Sequence, residues 1–488
     1  MSITLPVIDL NAILPQLILV VIAALILIIG LIEQIKRFIP FISMILLAIA
    51  FILISGMWES GPRSFSDLSA MMVLDDFSIF ATLIFIAGAL LTIMISIAYA
   101  ESHAINRSEY YALIIFALAG MSMMSASVDL FTFFLSLEIL SISLYILIGF
   151  EQEDLRSNEG ALKYFLLGAF ASGFILYGIA LIYGATGSTA YGDIIGVISA
   201  NGLGDNSLLL LGGMGMILIG MGFKISMVPF HAWTPDVYQG APTPISAYMS
   251  TGSKAAGFIV LLRLFSFVFD DLRAEWAPLI AFLAILTMAI GNLIALVQTD
   301  LKRLLAYSSI AHAGYMLLAL VVSGQTANAS ILFYLMVYTA MNLAGFGVIA
   351  VLAAKGERSF TLEDMAGLGS RHPVIALVMA IAMFSLAGIP PTAGFIAKFY
   401  LFSAVIMGGY GELALMGILL SGVSLYYYLR VVVWMYMRES SQPVIESQAA
   451  LSFTGVAALC LSALAIIIIG LFPSDLLLLA QQAVLILQ

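Results

Sequence analysis

Four ionisable residues sit inside long apolar stretches: Glu138, Lys224, Lys254 and Lys398. Charge at mid-membrane costs about 2.5–3.5 kcal/mol even on lenient insertion scales, so such residues are rare without a purpose. Their shared chemistry is reversible protonation. Loss of water disfavours the charged form of an amine, and a carboxylate nearby restores it. A change in that carboxylate's charge would then load or unload the lysine. Glu138 stands nine residues into the run 129–149, at mid-depth, among Phe133, Phe134, Leu137 and Leu140. Lys224 lies in Gly222-Phe223-Lys224-Ile225-Ser226-Met227-Val228-Pro229, and Lys398 follows Gly388-Ile389-Pro390-Pro391. Lys254 lies about ten residues into its helix, which at ~1.5 Å per residue reaches the bilayer centre.

Each residue also has a plainer reading. Glu138 would be a protonated acid hydrogen-bonded inside the bundle. Lys224 and Lys398 would snorkel to an interface, and Lys254 would sit in a structural ion pair. Three further residues are weaker candidates. Lys163 begins the sixth apolar run and either reaches Glu138 or faces the headgroups. His312 either hands protons between two halves of the chain or is a satisfied core histidine. His231 is a relay member or a packing residue. Arg263 and Arg430, near helix ends, are expected to snorkel.

The elements that carry these residues follow from composition. The 488 residues are 62% hydrophobic and 9% charged, against roughly 25% charged in soluble domains. Only a bilayer can solvate so much apolar surface, and a spanning helix takes about 20 apolar residues. Fourteen candidates lie near 11–31, 38–56, 76–98, 110–127, 129–149, 160–183, 208–238, 241–266, 277–297, 301–323, 328–353, 374–406, 410–435 and 451–475. The expected fold is therefore a single all-α polytopic membrane domain over 1–488.

Loop cations orient it. The odd-numbered loops carry Lys36, Arg37, Arg107, Arg156, Lys302, Arg303, Lys355, Arg358, Arg371 and Arg438, and the even ones Arg63 and Arg273. Ten against two places the odd loops in the cytoplasm and both termini outside.

Two runs, 208–238 and 374–406, are too long for one crossing, and both contain helix breakers: Pro229 and Pro235, then Pro390, Pro391 and Gly394. A broken helix survives in lipid only where protein or a water-lined cavity satisfies its backbone. Each break lies in the fourth helix of a block of five, 110–266 and 277–435. Five is odd, so the blocks would be inverted repeats, the pattern of a transporter.

Other chemistry is excluded by absence. No Gly-x-Gly-x-x-Gly loop in a strand–helix context and no phosphate-binding loop occurs. The single cysteine, Cys460, cannot form an internal disulfide or a cysteine metal cluster. No basic stripe for nucleic acid is present, and the net charge of −10 rests on acids in loops. No basic segment precedes the first apolar run, so no cleaved signal peptide is expected.

Three phrases carry a resemblance: Val228-Pro229-Phe230-His231-Ala232-Trp233-Thr234-Pro235-Asp236-Val237-Tyr238-Gln239-Gly240-Ala241-Pro242, Ala306-Tyr307-Ser308-Ser309-Ile310-Ala311-His312-Ala313-Gly314-Tyr315, and Ser385-Leu386-Ala387-Gly388-Ile389-Pro390-Pro391-Thr392-Ala393-Gly394-Phe395. The chain resembles, over about 75–435, the antiporter-like membrane subunits of NADH:quinone oxidoreductase (respiratory complex I), and most closely the bacterial subunit N type. These are similar in turn to Mrp-type sodium/proton antiporters. A lysine at 398 fits that type, and subunit L is disfavoured because no long C-terminal amphipathic helix follows.

The resemblance implies roles. Glu138 is the ion-pairing glutamate of the fifth helix, Lys224 the proton-holding lysine of the seventh, Lys254 and His312 bridging members, and Lys398 the lysine of the outlet half-channel. It implies a non-redox subunit of a translocase in the bacterial cytoplasmic membrane. NADH, FMN, iron–sulfur clusters and quinone would belong to partner subunits. The expected partners are neighbouring antiporter-like and small membrane subunits and the lipid bilayer. Two rivals stand beside this expectation: a gradient-driven sodium/proton antiporter subunit, and a scaffold whose charged residues are structural.

Overall fold

The computed structural model describes residues 9–65, 71–202, 204, 206–322, 324–353, 360–439 and 452–485. Lys355 and Arg358, two of the orienting cations, lie outside the described residues. The chain folds as α1 (Leu14–Ile29), α2 (Ile39–Ser55), a two-stranded antiparallel hairpin of β1 (Arg63–Ser64) and β2 (Val73–Leu74), α3 (Asp76–Ser102), α4 (Ser108–Ala126), α5 (Leu130–Ile148) and α6 (Leu155–Thr186). There follow α7 (Tyr191–Asn201), α8 (Ser207–Ile225), α9 (Trp233–Gly240), α10 (Thr243–Tyr248), α11 (Lys254–Arg263), α12 (Arg273–Ala295), α13 (Leu301–Val322) and α14 (Gln325–Leu352). The short α15 (Leu368–Arg371), then α16 (Pro373–Ala387), α17 (Ala393–Met407), α18 (Gly411–Met437), α19 (Phe453–Leu471) and α20 (Ser474–Leu485) complete the described chain.

Among the described residues 13 helical stretches are long and apolar enough to cross a membrane. The remaining crossing is the broken pair α16 and α17, of 15 residues each. Together they account for the fourteen runs expected from the sequence, with α7 and α20 as additional shorter helices.

Acids begin the helices because an exposed helix N-terminus offers unpaired N–H groups. Asp75 caps α3 by accepting from Ser78 N at 2.7 Å, and Asp129 caps α5 by accepting from Phe131 N and Thr132 N at 2.9 Å. Asp154 does the same for α6 through Arg156 N at 2.9 Å. Loop acids that read as solvated charge are thus partly caps.

Helices approach closely where glycine removes the side chain. A methyl at Gly120 would stand 2.7 Å from the Leu140 nitrogen, so α4 and α5 touch backbone to backbone. The innermost crossings are Thr243–Val268, Leu301–Val322 and Gln325–Leu352, with 94, 89 and 89% of their apolar windows buried, against 28% for Gly411–Met437. Polar side chains on the inner three therefore face protein rather than lipid. The Thr243–Val268 crossing is α10 and α11 joined by a π-helical stretch, Met249–Ser253, directly before Lys254. Such stretches occur often at functional sites.

Candidate functional site: a buried lysine, histidine and tyrosine string

The two broken crossings end their first halves in the same way. At the first, Ser226 takes a left-handed conformation (φ 64°), and Met227 N donates to Gly222 O at 2.7 Å. At the second, Gly388 takes φ 84° and Ile389 N donates to Phe384 O at 3.0 Å. A cis X–Pro bond lies at the same offset in each, Val228–Pro229 and Pro390–Pro391. Side chains satisfy what the breaks free. Trp233 Nε1 donates to Phe223 O at 3.1 Å, Val228 N donates to Thr287 Oγ1 at 3.1 Å, and Gly394 N donates to Ser385 Oγ at 2.9 Å. Breaks in lipid need such partners.

The two lysines differ in placement within their breaks. Lys224 stands two residues before its left-handed residue (226 − 224), on α8. Lys398 stands ten residues after its own (398 − 388), on α17. The residue ten places after Ser226 is Asp236. The breaks correspond, and the charged residues do not.

Lys224 is 5% exposed, so it does not snorkel. Its Nζ donates to Ser141 Oγ at 3.1 Å and to Tyr164 Oη at 3.3 Å, and stands 5.7 Å from the Tyr164 ring centroid. Glu138 lies one helical turn from Ser141 on α5, a spacing that puts both on one face. It is half-buried and accepts from Ser172 Oγ of α6. It forms no ion pair among the described residues.

Lys254 is 1% exposed, and its Nζ donates to Ser309 O at 2.6 Å and to Ser309 Oγ. No acid pairs with it among the described residues, against the structural ion-pair reading. Ser308, the residue before Ser309, contacts Tyr428 Oη, which in turn lies 3.1 Å from His312 Nε2. His312 Nδ1 lies 2.7 Å from Tyr334 Oη. His312 is therefore a buried histidine with a partner on each ring nitrogen.

Lys398, 5% exposed, likewise does not snorkel. Its Nζ donates to Leu386 O at 2.9 Å, Ala387 O at 3.1 Å and Ser421 Oγ at 2.9 Å, and stands 5.3 Å from the Tyr315 centroid. Tyr315 Oη accepts from Asn292 Nδ2 at 3.0 Å, and Tyr427 Oη donates to Asn292 Oδ1 at 3.0 Å. Tyr427 is adjacent to Tyr428, with ring centroids 4.4 Å apart. Ser309, Asn292, Tyr334, Tyr427 and Tyr428 were missed by a search for charge. The available signal was hydroxyl and amide side chains repeating at helical spacing inside apolar runs, as with Ser421, Ser424 and Tyr428 on α18.

The weaker candidates resolve differently. Lys163 does not bond Glu138. It pairs with Glu159 at 2.7 Å and with Asp236 at 2.8 Å, and is 40% exposed. Its helix begins at Leu155, earlier than the sequence suggested. His231 sits half-buried in the first break, and its Nδ1 has no hydrogen-bond partner. Arg263 does not snorkel. It forms a buried pair with Asp75 at 2.8 Å and donates from Nε to Ser125 O at 2.7 Å. Arg430 bonds the carbonyls of Leu296 (2.9 Å) and Gln298 beyond the end of α12. An open polar cavity of about 660 Å³ lies among the odd loops, with Tyr99, Glu151, Gln239, Asp300 and Lys302 in its wall.

The family described as NADH:quinone oxidoreductase/Mrp antiporter, TM, matches residues 127–424, which hold both breaks, Glu138, His312 and the three buried lysines. A protein named NADH-quinone oxidoreductase subunit N from Trichlorobacter lovleyi is 46% identical over 484 residues, covering 98% of this chain and 97% of that protein. The chain belongs to the subunit N family. Among solved structures, a chain of respiratory complex I from Thermus thermophilus with bound aureothin is 34% identical, with a TM-score of 0.80, covering 96% of this chain and 99% of that one. A chain of the Mrp complex from Dietzia sp. has a TM-score of 0.86 at 20% identity, covering 96% of each, and shares the fold. Subunit N relatives thus match nearly the whole chain, including the first three helices and the last, which carried little signal of their own.

Proposed function

We propose that this chain is the proton-translocating subunit N of a bacterial NADH:quinone oxidoreductase. One observation carries the reading. Three amines, Lys224, Lys254 and Lys398, are buried without a paired acid among the described residues, and the hydrogen bonds they make there go to hydroxyl and carbonyl oxygens. An amine that must stay charged is ordinarily buried with a counter-ion. One that must give up its proton is better served by oxygens of modest polarity.

The residues divide the work. Lys224 holds a proton beside the first break, and Glu138, one turn from its serine partner, biases that proton. Lys254 and His312 pass it through Ser308, Ser309 and Tyr428, and Lys398 releases it at the second break. Glu138 stands half-exposed on the flank made by α5 and α6, placed to respond to a neighbouring subunit. Electron transfer from NADH to quinone, with FMN and iron–sulfur clusters, belongs to partner subunits. The five-helix blocks 110–266 and 277–435 act as inverted repeats. The odd loops face the cytoplasm, so both termini are periplasmic. The 46% identity to a subunit N relative favours this reading over an antiporter subunit, which the 20% identical Mrp chain supports only as a fold.

The test is Lys224→Ala in the assembled complex. NADH-driven proton uptake into vesicles should be lost or strongly reduced with assembly retained. Undiminished uptake per electron would remove Lys224 from the path.

A further inference from the structure

Asp236 stands outside the lysine–histidine string, yet it joins both five-helix blocks. It sits on α9, the eight-residue second half of the first broken crossing. Its Oδ2 accepts from Lys163 Nζ on α6 at 2.8 Å, and its Oδ1 accepts from Arg303 Nη1 on α13 at 2.8 Å. The outer end of α9 is fastened further. Arg303 Nη1 also donates to Gln239 Oε1 at 3.2 Å, Gln239 Nε2 donates to Asp300 Oδ2 at 3.0 Å, and Lys302 Nζ donates to Ala241 O at 2.7 Å.

The inner end of α9 forms the wall of Lys224. Trp233 bonds Phe223 O, the residue before Lys224, and its ring lies 4.7 Å from that of Tyr164 and 5.1 Å from that of Phe223. Tyr164 in turn accepts from Lys224 Nζ at 3.3 Å. Lys163 and Tyr164 are consecutive on α6: one reaches Asp236, and the next reaches Lys224. A shift of α9 therefore alters the aromatic wall on which Tyr164, whose hydroxyl holds the ammonium, is packed. The second break ties its own second half at the same offset, where Lys398 holds the end of α16.

We infer that Asp236 is a positioning residue: its ion pairs to Lys163 and Arg303 fix α9 and so set the hydrogen-bond geometry at Lys224. The inference rests on the reading of Lys224 as a proton carrier. Asp236, Lys163 and Arg303 are 39, 40 and 27% exposed, and ion pairs that open to solvent add little to stability. Their contribution is therefore alignment, and its loss reads in coupling more than in folding.

The experiment compares Asp236→Asn, Asp236→Glu and Lys163→Met in the assembled complex, with Lys224→Ala alongside. Two quantities are read: protons taken up per electron, and hydrogen–deuterium exchange of the segment 223–240. Asp236→Asn should speed exchange there by about tenfold, as local opening becomes easier, and should lower protons per electron. Asp236→Glu should restore both, and Lys163→Met should reproduce part of the loss. If Asp236→Asn does not assemble, Lys163→Met carries the same comparison. Unchanged exchange overturns the clamp. Faster exchange with full pumping, while Lys224→Ala abolishes pumping, overturns the positioning role and leaves the relay standing. Full pumping in Lys224→Ala removes the relay itself, whatever exchange shows.

Discussion

Lys398 on α17 donates to the Leu386 carbonyl of α16 at 2.9 Å, so the lysine of the second half-helix closes the open end of the first. With the bond to Ala387 O at 3.1 Å, two of the terminal carbonyls that a helix cannot satisfy internally are held by one ammonium. The negative end of the α16 dipole favours positive charge at that point. Structure and chemistry thus share a single side chain at this break. At the first break they are separated, with the Trp233 and Thr287 side chains bonding the backbone and Lys224 bonding side-chain hydroxyls.

Replacement of Lys398 should accordingly cost more than replacement of Lys224. Lys398→Met leaves two buried carbonyls without this donor, and a buried unsatisfied group costs about 1–3 kcal/mol. Lys398→Met is expected to lower both proton uptake and thermal stability of the complex. Lys224→Met is expected to lower uptake with a smaller stability loss, because its partners are hydroxyls free to rotate. Parallel melting and uptake measurements check the contrast. Equal stability losses in the two variants would contradict it.

Gly394 makes the second break possible. A methyl at this position would collide with the Ser385 carbonyl and press on Met341 Sδ at 2.9 Å. The obstacle is backbone, which cannot rotate away. Gly394→Ala should therefore shift α17 relative to α16 at a cost of about 1–3 kcal/mol, the usual range for overpacking. Reduced subunit N in the assembled complex, read on native gels, is the expected result.

What the sequence revealed followed from physics that acts along the chain. Fourteen apolar runs, two proline-marked breaks and buried charge at 138, 224, 254 and 398 are visible one residue at a time. Partnership across helices is not. The sequence leaves Lys163 either reaching Glu138 or facing the headgroups, whereas α6 begins early, at Leu155, and pairs its lysine with Asp236. Arg263 looked like a snorkelling end residue because Asp75, 188 positions away, could not be seen as its partner. The matching offset of Asp236 and Lys398 emerges only once Ser226 and Gly388 are known to be the left-handed residues. The tyrosines of the string have no charge to mark them.

The Arg263–Asp75 pair should behave as a buried ion pair does. Its side chains are 4 and 1% exposed. Asp75→Asn removes the counter-charge and strands a guanidinium inside the bundle, which typically costs 3–5 kcal/mol, on the order of a whole domain's margin. Asp75 also caps α3, but asparagine retains capping ability. The loss would therefore report the charge. A double replacement, Asp75→Asn with Arg263→Met, should recover part of it, measured by thermal unfolding of the complex. A double variant no better than the single would show that the stranded guanidinium is not the source of the loss.

Tyr428 offers the finest test of the string, since a single oxygen can be removed. Its hydroxyl contacts Ser308 on α13 and His312 Nε2, while its ring packs on Tyr427 at 4.4 Å. Tyr428→Phe keeps the ring and deletes only the polar link between Ser308, the neighbour in sequence of the Ser309 that holds Lys254, and His312. An interhelical hydrogen bond inside a membrane is worth about 0.6 kcal/mol on average, so assembly and melting should hardly change. Proton uptake per electron should nevertheless fall if this oxygen lies on the path. The two measurements separate the readings. A scaffold would register the small stability change and pump as before, whereas a relay would stay folded and lose its stroke. Vesicle uptake assays on Tyr428→Phe, paired with Tyr426→Phe on the exposed side of α18, decide between them. Equal uptake in both variants would take His312 out of contact with Lys254 through this hydroxyl.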